Sequence, residues 1–296
     1  MRLLLLGANG QLGLELSKSL TTSGDVISAT RTGVLPGGES CEVADLDRPE
    51  DLPELVRRVA PDVVINAAAY TAVDRAEDER ASVVRANTRS PDVLARACAE
   101  RDILFVHYST DYVFDGRGRR PYREEDPTAP LGVYGASKLA GEEAIRAVGG
   151  RHLILRTAWA YARHSRNFMQ TMLRLGSEYD QLKVVADQIG TPTPAYLIAD
   201  ATVEMLDNPA AQTGTFHLTA RGETSWHGFA EAIFEEALAR GLISRAPRLL
   251  PVTTPEYPTR ARRPAYSHLD VGKLERTLGH PLPDWRTGLR QVFEGR

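Results

Sequence analysis

The amino-acid sequence predicts an α/β fold, in which an open, doubly wound parallel sheet is followed by a smaller C-terminal domain. The first observation is that short, continuously apolar runs recur through the first half of the chain, which is typical of strands covered on both faces. The second is that amphipathic stretches separate these runs, which predicts right-handed crossovers. The third is that prolines cluster beyond residue 156, where the strand pattern fades.

The predicted elements follow this alternation in chain order. Strands are expected at residues 2–6, 26–30, 63–68, 103–108 and 153–157. Helices are expected at residues 11–22, 49–59, 79–100 and 135–148, and later at 166–176, 195–207 and 226–240. We therefore divide the chain into a sheet domain at 1–155 and a smaller domain at 156–296, and expect some later segments to return to the first sheet.

The composition excludes several classes of partner. The 36 basic and 39 acidic residues give a net charge of −3, which predicts binding to neither nucleic acid nor a membrane surface. The apolar run at 3–6 is shorter than a signal-peptide core, and no segment approaches the roughly 18 apolar residues of a membrane span. Two isolated cysteines, Cys41 and Cys98, are typical of a reducing compartment, so we expect a cytoplasmic protein.

A glycine-rich turn lies between the first predicted strand and the first predicted helix. Gly7, Gly10 and Gly13 are spaced G-x-x-G-x-x-G. Glycine permits a tight turn and lets the backbone approach a pyrophosphate, while free N–H groups at the helix N-terminus attract the anion. This strand–turn–helix context indicates a dinucleotide-binding, Rossmann-type sheet.

The end of the second predicted strand separates the two nicotinamide cofactors. A carboxylate there binds the ribose 2′-hydroxyl of NAD, whereas a cation accepts the 2′-phosphate of NADP. The chain has Thr30 and Arg31 at this point, and Asp25 lies before the strand. We therefore expect NADPH as the cofactor, with Arg31 binding the phosphate, and leave NADH open as a second cofactor.

Tyr134 and Lys138 are spaced Y-x-x-x-K in a predicted helix, so their side chains share one face. The pKa of a free tyrosine is about 10, but a neighbouring ammonium stabilises the phenolate and lowers this value. Tyr134 then becomes a usable general acid for a carbonyl that receives a hydride. The polar run Ser109-Thr110-Asp111 ends an earlier strand, at the sheet edge where open α/β folds bind their ligands.

Eight segments resemble those of a known family, in order along nearly the whole chain. They are GANGQLG (7–13), NAAAYTAVDRAE (66–77), YSTDYVFDG (108–116), YGASKLAGE (134–142), RTAW (156–159), DQIGTPT (187–193), FHLTARGETSW (216–226) and RRPAYSHLD (262–270). On these segments the chain resembles the dTDP-4-dehydrorhamnose reductases, a family of extended short-chain dehydrogenase/reductases. STDYVFDG together with RTAW is more specific to that family than the glycine and Y-x-x-x-K motifs.

The resemblance implies roles for individual residues. Thr110, Tyr134 and Lys138 are expected to be catalytic. Trp159 and the pair Thr110-Asp111 are expected to bind the substrate, with Trp159 as an apolar wall against the sugar. The expected cofactor contacts are Gly7, Asn9, Gly10, Gln11, Leu12, Gly13, Arg31, Asp45, Leu46, Ala67, Ala68, Ala69, Tyr134 and Lys138.

The family implies reduction of a dTDP-sugar, dTDP-4-dehydro-6-deoxy-L-mannose, to dTDP-L-rhamnose, with an NADP-binding domain at 1–155 and a substrate-binding domain at 156–296. Two alternatives stay open: a reductase of another nucleotide 4-ketosugar, and a non-catalytic regulatory subunit like that of methionine adenosyltransferase. Dehydratase activity is not expected, because Asp111 is followed by Tyr112 rather than by a carboxylate base.

Three further expectations concern metals, assembly and the substrate diphosphate. We interpret Glu15 as an exposed helix residue and expect no bound metal, because Tyr196 stands where some family members have a second carboxylate. The protein is expected to be a monomer or a homodimer. A group of three arginines is a candidate to bind the diphosphate: Arg260, Arg262 and Arg263.

Overall fold

The computed structural model describes residues 1–208, 211 and 213–296. Its strands, in chain order, are β1 (Arg2–Leu6), β2 (Asp25–Thr30), β3 (Glu42–Val43), β4 (Val63–Asn66), β5 (Leu104–Thr110), β6 (His152–Thr157), β7 (Ala160–Tyr161), β8 (Gln181–Val185), β9 (Ile189–Gly190), β10 (Thr193–Pro194), β11 (Gly214–His217), β12 (Thr224–Ser225) and β13 (Arg248–Val252). Its α-helices are α1 (Gln11–Ser19), α2 (Leu52–Val59), α3 (Val73–Ala76), α4 (Arg80–Val84), α5 (Ser90–Ala99), α6 (Val133–Val148), α7 (Phe168–Glu178), α8 (Ala195–Asp207), α9 (Trp226–Ala239), α10 (Gly272–Leu278) and α11 (Trp285–Phe293).

A seven-stranded parallel sheet with the order β11-β6-β5-β4-β1-β2-β3 forms the centre of the fold. All five predicted strands lie in it, so the predicted α/β, doubly wound architecture is confirmed. Two of its strands were not predicted. The short strand β3 extends one edge, and β11 from the C-terminal half pairs with β6 at the other, with Gly214 opposite Leu153. The division of the chain at residue 155 stays a prediction.

Successive side chains of β1 pack in two different hydrophobic clusters, one on each face of the sheet. Leu3 and Leu5 pack in a hydrophobic cluster with residues of α1 and α8, whereas Leu4 and Leu6 pack in a second cluster with residues of α2 and α5. All four side chains are completely buried. Full burial of a leucine stabilises the fold by roughly 1.5–3 kcal/mol relative to an exposed one. The run of apolar residues is therefore explained by two helical layers.

The helix predicted at 79–100 contains a π-helical turn, Arg85–Arg89, between α4 and α5. Asn87 lies in this turn and is completely buried. Its side chain accepts a hydrogen bond from the Tyr70 N–H (2.9 Å) and donates to the Tyr70 carbonyl (3.0 Å) and to the Ser137 hydroxyl (3.1 Å). The turn thus ties the segment after β4 to α6, and such π-turns are frequent at functional sites.

The C-terminal half adds elements around the later strands. The pair β8–β13 is parallel, whereas β9–β12 is antiparallel. Helix α11 was not predicted; Asp284 caps it by accepting a hydrogen bond from the Arg286 N–H (2.9 Å), and Trp285 packs in the larger core cluster. Among the described helices, none has the length and apolar character needed to span a bilayer.

A buried ion pair fastens α6 to β6. Arg156 donates two hydrogen bonds to Glu142, from Nε to Oε1 (2.9 Å) and from Nη2 to Oε2 (2.7 Å), and Arg146 donates a third (3.1 Å). Burial raises the pKa of Glu142, but the hydrogen bonds and charge of Arg156, with smaller contributions from Ser109 and Arg146, together outweigh burial and hold the pKa below its ordinary value. A bidentate pair of this kind fixes the relative orientation of the two side chains as well as the distance between them. The helix that carries Tyr134 and Lys138 is therefore held in a defined position on the sheet.

We expect Glu142→Gln to lower the free energy of unfolding by about 3 kcal/mol, because it leaves the Arg156 charge buried without its partner. The measurement is urea-induced unfolding at neutral pH. Glu143→Gln makes the same change at the next, exposed position of α6 and is expected to have an effect within about 0.5 kcal/mol. Equal effects of the two substitutions would contradict an anchoring role for the pair.

Candidate active site

A cleft of about 670 Å³ opens at the carboxyl ends of the central strands. Its volume lies in the roughly 300–1,000 Å³ range of small-molecule and cofactor sites. Most of the residues singled out from the sequence line it: Gly7, Asn9, Gly10, Gln11, Leu12, Arg31, Asp45, Leu46, Ala67, Ala68, Ala69, Tyr134, Lys138 and Trp159. Three do not line it: Gly13, Thr110 and Asp111.

The glycine turn has the shape of a phosphate cradle. Gly7 has φ +78°, and a Cβ there would lie 2.8 Å from the Ala68 nitrogen. A Cβ on Gly13 would lie 2.0 Å from the Gly7 carbonyl oxygen, so this glycine lets the helix approach the turn from behind rather than facing the cleft. The first N–H groups of α1, which begins at Gln11, have no partner within the helix. This end of the helix lines the cleft. These features fit a bound pyrophosphate.

Lys138 lies in the floor of the cleft and is only 2% exposed. Its Nζ donates a hydrogen bond to the Tyr108 carbonyl oxygen (2.5 Å) and contacts His107 Nε2 (3.0 Å). His107 Nδ1 in turn contacts Asn66 Nδ2 (3.2 Å). Burial lowers the pKa of Lys138 to about 8, although Glu142 opposes this shift. The lysine is thus held by β5 and lies one helical turn from Tyr134.

Tyr134 stands at the wall of the same cleft, and the Thr110 hydroxyl is one of the groups that influence its phenol. Burial raises the pKa of Tyr134 to about 12, and the Thr110 hydroxyl counteracts part of this rise. The expectation that the neighbouring lysine lowers the pKa of Tyr134 below its ordinary value was therefore wrong, because burial outweighs any such effect. The edge of the Tyr112 ring packs on the Tyr134 ring, with centroids 5.9 Å apart. The structure therefore brings together the tyrosine, the lysine and the threonine that the sequence predicted to act as a group.

Thr110 and Asp111 lie behind Tyr134 and are both buried. The Thr110 hydroxyl donates a hydrogen bond to Asp111 Oδ1 (3.0 Å) and accepts one from the Tyr112 N–H (3.2 Å). Burial raises the pKa of Asp111 to about 7, and hydroxyl contacts with Ser267 and Thr110 reduce the shift. The expectation that Thr110 and Asp111 contact the substrate therefore stays a prediction.

Two stacked tryptophans form an apolar part of the cleft wall. Trp159 has φ +45°, unusual for a residue with a Cβ, and its ring stacks on Trp226 with centroids 3.5 Å apart and planes 7° apart. The Phe168 ring packs on the Trp226 ring, with centroids 4.6 Å apart. The sequence singled out Trp159 alone; Trp226 ends the motif FHLTARGETSW, but its proximity to Trp159 could not be read from the motif.

A loop before α7 also reaches the cleft and was not singled out. Asn167 caps α7 by accepting from the Gln170 N–H (3.0 Å), and its Nδ2 donates to Gln11 Oε1 (2.9 Å) at the glycine turn. Arg166 lies beside it at the cleft surface. The interpretation of Glu15 as exposed was wrong: it is 6% exposed, because this loop covers it and His164 Nδ1 contacts its carboxylate (3.2 Å).

Metal ligands and the candidate diphosphate site are the remaining questions. Within residues 1–208, 211 and 213–296, no group of three His, Cys, Asp or Glu side chains could hold a metal ion.

Of the three candidate arginines, Arg263 is paired with Asp74 (2.8 Å) and Arg260 with Asp78. Arg262 is exposed beside a small cavity next to Tyr134.

Comparison with known proteins gives consistent matches over the whole chain. Residues 1–295 match the family described as RmlD substrate binding domain. The chain is 47% identical to the dTDP-4-dehydrorhamnose reductase of Burkholderia thailandensis, over 97% of this chain and 96% of that one. It is 42% identical to the enzyme of the same name from Escherichia coli K12, over 99% and 97% of the two chains.

Two solved structures are similar in fold as well as in sequence. The dTDP-4-dehydrorhamnose reductase of Bacillus anthracis, in complex with NADP, has a TM-score of 0.89 and 33% identity and covers 100% of this chain and 99% of its own. The enzyme of the same name from Clostridium acetobutylicum has a TM-score of 0.89 and 36% identity, with 99% of both chains covered. The similarity therefore includes both the sheet and the C-terminal half.

We expect Lys138→Met to raise the free energy of unfolding by about 1–3 kcal/mol near neutral pH, because it removes a buried charge whose pKa is depressed. Between the folded pKa of about 8 and the ordinary value of 10.5, only the unfolded chain retains the lysine proton. The stability of the unchanged protein therefore rises with pH through this window, and the variant loses that rise.

The measurement is chemical unfolding at a series of pH values. Lys183→Met changes an exposed lysine of β8 and serves as the control; its stability is expected to follow the pH dependence of the unchanged protein. A Lys138→Met variant that is less stable than the unchanged protein at neutral pH would show that the bonds of Lys138 outweigh the burial of its charge.

Proposed function

The chain belongs to the RmlD substrate binding domain family, and from this premise we propose that it reduces the 4-keto group of dTDP-4-dehydro-6-deoxy-L-mannose to dTDP-L-rhamnose with NADPH. One observation carries the proposal. The glycine turn and the pair Tyr134–Lys138 line the same cleft, in a chain that matches named reductases along its length.

The coarser assignment is an NAD(P)H-dependent oxidoreductase. The relatives reported above have the name of a reductase, and one neighbouring structure contains NADP. A non-catalytic subunit has no use for a buried tyrosine and lysine at a cleft wall, which favours the enzyme over that alternative. A reductase of another nucleotide 4-ketosugar remains the second candidate, because the sugar-facing wall consists mostly of two indoles that would accept more than one sugar.

The residues present fit a dinucleotide. The glycine turn and the N-terminus of α1 would hold its pyrophosphate, and Arg31 would hold the 2′-phosphate at the exposed end of the cleft. Asp45, Leu46 and the segment Ala67–Ala69 line the space between them. When bound, the reduced nicotinamide supplies the hydride. NADH, which lacks the 2′-phosphate, would lose the contact with Arg31 and keep the others.

Tyr134 is the proposed proton donor. As hydride reaches the carbonyl carbon, the carbonyl oxygen becomes an alkoxide, and an alkoxide is a stronger base than a phenolate. Transfer of the Tyr134 proton to that oxygen is therefore favourable even though burial raises the pKa of the tyrosine. In this proposal the Lys138 ammonium, one turn along α6, stabilises the phenolate that remains, and the Thr110 hydroxyl hydrogen-bonds the substrate oxygen and helps to orient the substrate.

The substrate is proposed to bind between Tyr134 and the tryptophan wall. Stacked indoles present a flat apolar surface against which a deoxysugar ring can pack. We assign the C-terminal half, residues 156–296, to substrate binding and residues 1–155 to the cofactor. Whether the protein is a monomer or a homodimer stays a prediction.

We expect Tyr134→Phe to lower kcat by about 10²–10⁴-fold, because it removes the proton donor and leaves the cleft otherwise unchanged. The assay follows the absorbance of NADPH in the presence of dTDP-4-dehydro-6-deoxy-L-mannose. Cofactor affinity is expected to change little. Tyr179→Phe, at an exposed tyrosine that follows α7, is the control and should retain full turnover.

Three results would count against this assignment. Wild-type turnover by Tyr134→Phe would remove the tyrosine from the reaction. Faster turnover of a different nucleotide 4-ketosugar would favour the second candidate. No oxidation of NADPH by the folded, unchanged protein would favour the non-catalytic alternative.

We expect Arg31→Ala to raise the KM for NADPH by about 10–100-fold, the loss typical of a hydrogen bond to a charged group. The KM for NADH should change by less than about threefold, because NADH lacks the 2′-phosphate. Steady-state kinetics with both cofactors measure this difference. Arg174→Ala, on the exposed face of α7, is the control. Equal increases for both cofactors would show that Arg31 does not bind the phosphate.

A further inference from the structure

Arg166 is a cation at the cleft surface to which the proposed mechanism gives no role. The charged side chains among the described residues that line the cleft are Arg31, Asp45, Asp47, Lys138 and Arg166. Asp47 pairs with Arg85 (3.3 Å), and Lys138 is buried against β5. Arg31 and Arg166 are exposed, and neither has an ion-pair or hydrogen-bond partner in the part of the chain that the structure describes. Both arginines are therefore free to bind an anion in the cleft.

Arg166 belongs to the 162–167 loop, which follows β7 and is fastened to the glycine turn. Asn167 Nδ2 donates a hydrogen bond to Gln11 Oε1 (2.9 Å). His164 Nε2 contacts the Gln11 carbonyl oxygen (3.2 Å). Consecutive Cα atoms are about 3.8 Å apart, so the backbone of Arg166 is adjacent to a residue that touches the start of α1. The loop thus holds this arginine beside the turn that fits a pyrophosphate.

The sheet topology places the two free arginines on opposite sides of the glycine turn, which follows β1. In the strand order β11-β6-β5-β4-β1-β2-β3, the strand that precedes Arg31 is β2, a direct neighbour of β1. The loop that carries Arg166 follows β6 and β7, and β6 lies on the other side of β1, beyond β4 and β5. A dinucleotide that extends across the strand ends therefore meets one arginine from each side.

A nicotinamide dinucleotide offers these arginines two kinds of anion. One is the pyrophosphate between its two nucleosides, and the other is the 2′-phosphate that only NADPH contains. The proposed function assigns the 2′-phosphate to Arg31, but it gives the pyrophosphate only uncharged N–H donors of the glycine turn and α1. The forked donors of an arginine match phosphate oxygens and add a full positive charge. Arg166 is the free cleft arginine that remains for this group.

We propose that Arg166 binds the cofactor pyrophosphate from the β6 side of the glycine turn, and that Asn167 positions it through the hydrogen bond to Gln11. The proposal rests on the proposed function, since it takes the cleft to hold a nicotinamide dinucleotide. NADPH and NADH share the pyrophosphate, so Arg166 contributes equally to the binding of both. Arg31 contributes to NADPH alone, and the two arginines therefore have separable effects.

The diphosphate of a sugar nucleotide is the other anion of the same chemistry that could reach this cleft. The contacts of the 162–167 loop with Gln11 favour the cofactor, because they hold Arg166 at the glycine turn. The two sources are distinguished by the ligand whose affinity depends on the arginine. dTDP serves as the probe for the diphosphate of the substrate.

The experiment measures the Kd of NADPH, NADH and dTDP by isothermal titration calorimetry, which needs no turnover. We expect Arg166→Ala to raise the Kd of NADPH and of NADH by the same factor, about tenfold, the loss typical of a hydrogen bond to a charged group. The Kd of dTDP should change by less than about twofold. Arg163→Ala removes the same charge from an exposed position of the loop outside the cleft lining, and should leave all three values within about twofold.

A double-mutant cycle tests the positioning role of Asn167. Asn167→Ser retains a hydroxyl that can cap α7 and removes the amide N–H that reaches Gln11. We expect it to raise the Kd of NADPH by about threefold when Arg166 is present, and by less than about 1.5-fold in the Arg166→Ala background. Equal effects in the two backgrounds would show that Asn167 does not act through Arg166.

The outcomes separate this proposal from the function on which it rests. A Kd that rises for NADPH alone would assign Arg166 to the 2′-phosphate, and one that rises for dTDP alone would assign it to the substrate; either overturns the proposal. Unchanged affinities in Arg166→Ala, or an equal loss in Arg163→Ala, also overturn it. If the unchanged protein reduces no 4-ketosugar, the proposed function fails, while equal losses of affinity for both cofactors in Arg166→Ala would still support the proposal.

Discussion

The bidentate ion pair between Glu142 and Arg156 is the interaction on which the site depends. Glu142 follows Lys138 and Tyr134 at four-residue intervals, so the anchor and the two chemical groups share one face of α6. A rotation of the helix that released the ion pair would also turn the phenol and the ammonium out of the cleft. Burial makes each charge costly without the other, and this cost holds the helix in a single orientation.

The rest of the cleft is positioned by contacts between segments that are far apart in the sequence. Asn87, in the π-helical turn, connects the segment after β4 to α6, and Asn167 connects the start of α7 to the glycine turn. Both use one side-chain amide to satisfy donors or acceptors on different elements. These hydrogen bonds thus link α6 to the segment after β4, and the start of α7 to the glycine turn.

The sequence predicted the sheet because burial on both faces leaves continuous apolar runs, as in β1. It predicted Tyr134, Lys138 and the glycine turn because the residues of each motif lie close together in the sequence. It could not predict features that arise from packing between distant segments. The stacking of Trp226 on Trp159, the burial of Glu15 beneath the loop at His164 and the contact of Lys138 with His107 all join such segments. The π-helical turn could not be predicted for another reason: one inserted residue barely alters an amphipathic pattern.

The stacked indoles have a consequence for spectroscopy. Two of the three tryptophans form the Trp159–Trp226 pair in the cleft, whereas Trp285 is enclosed in the core. Stacked rings with centroids 3.5 Å apart couple their intense electronic transitions, and this coupling gives a pair of bands of opposite sign in far-ultraviolet circular dichroism that an isolated indole lacks. The sign and size of such a signal depend on the angle between the rings. The protein thus contains an intrinsic optical signal that depends on the geometry of the Trp159–Trp226 stack, without any added label.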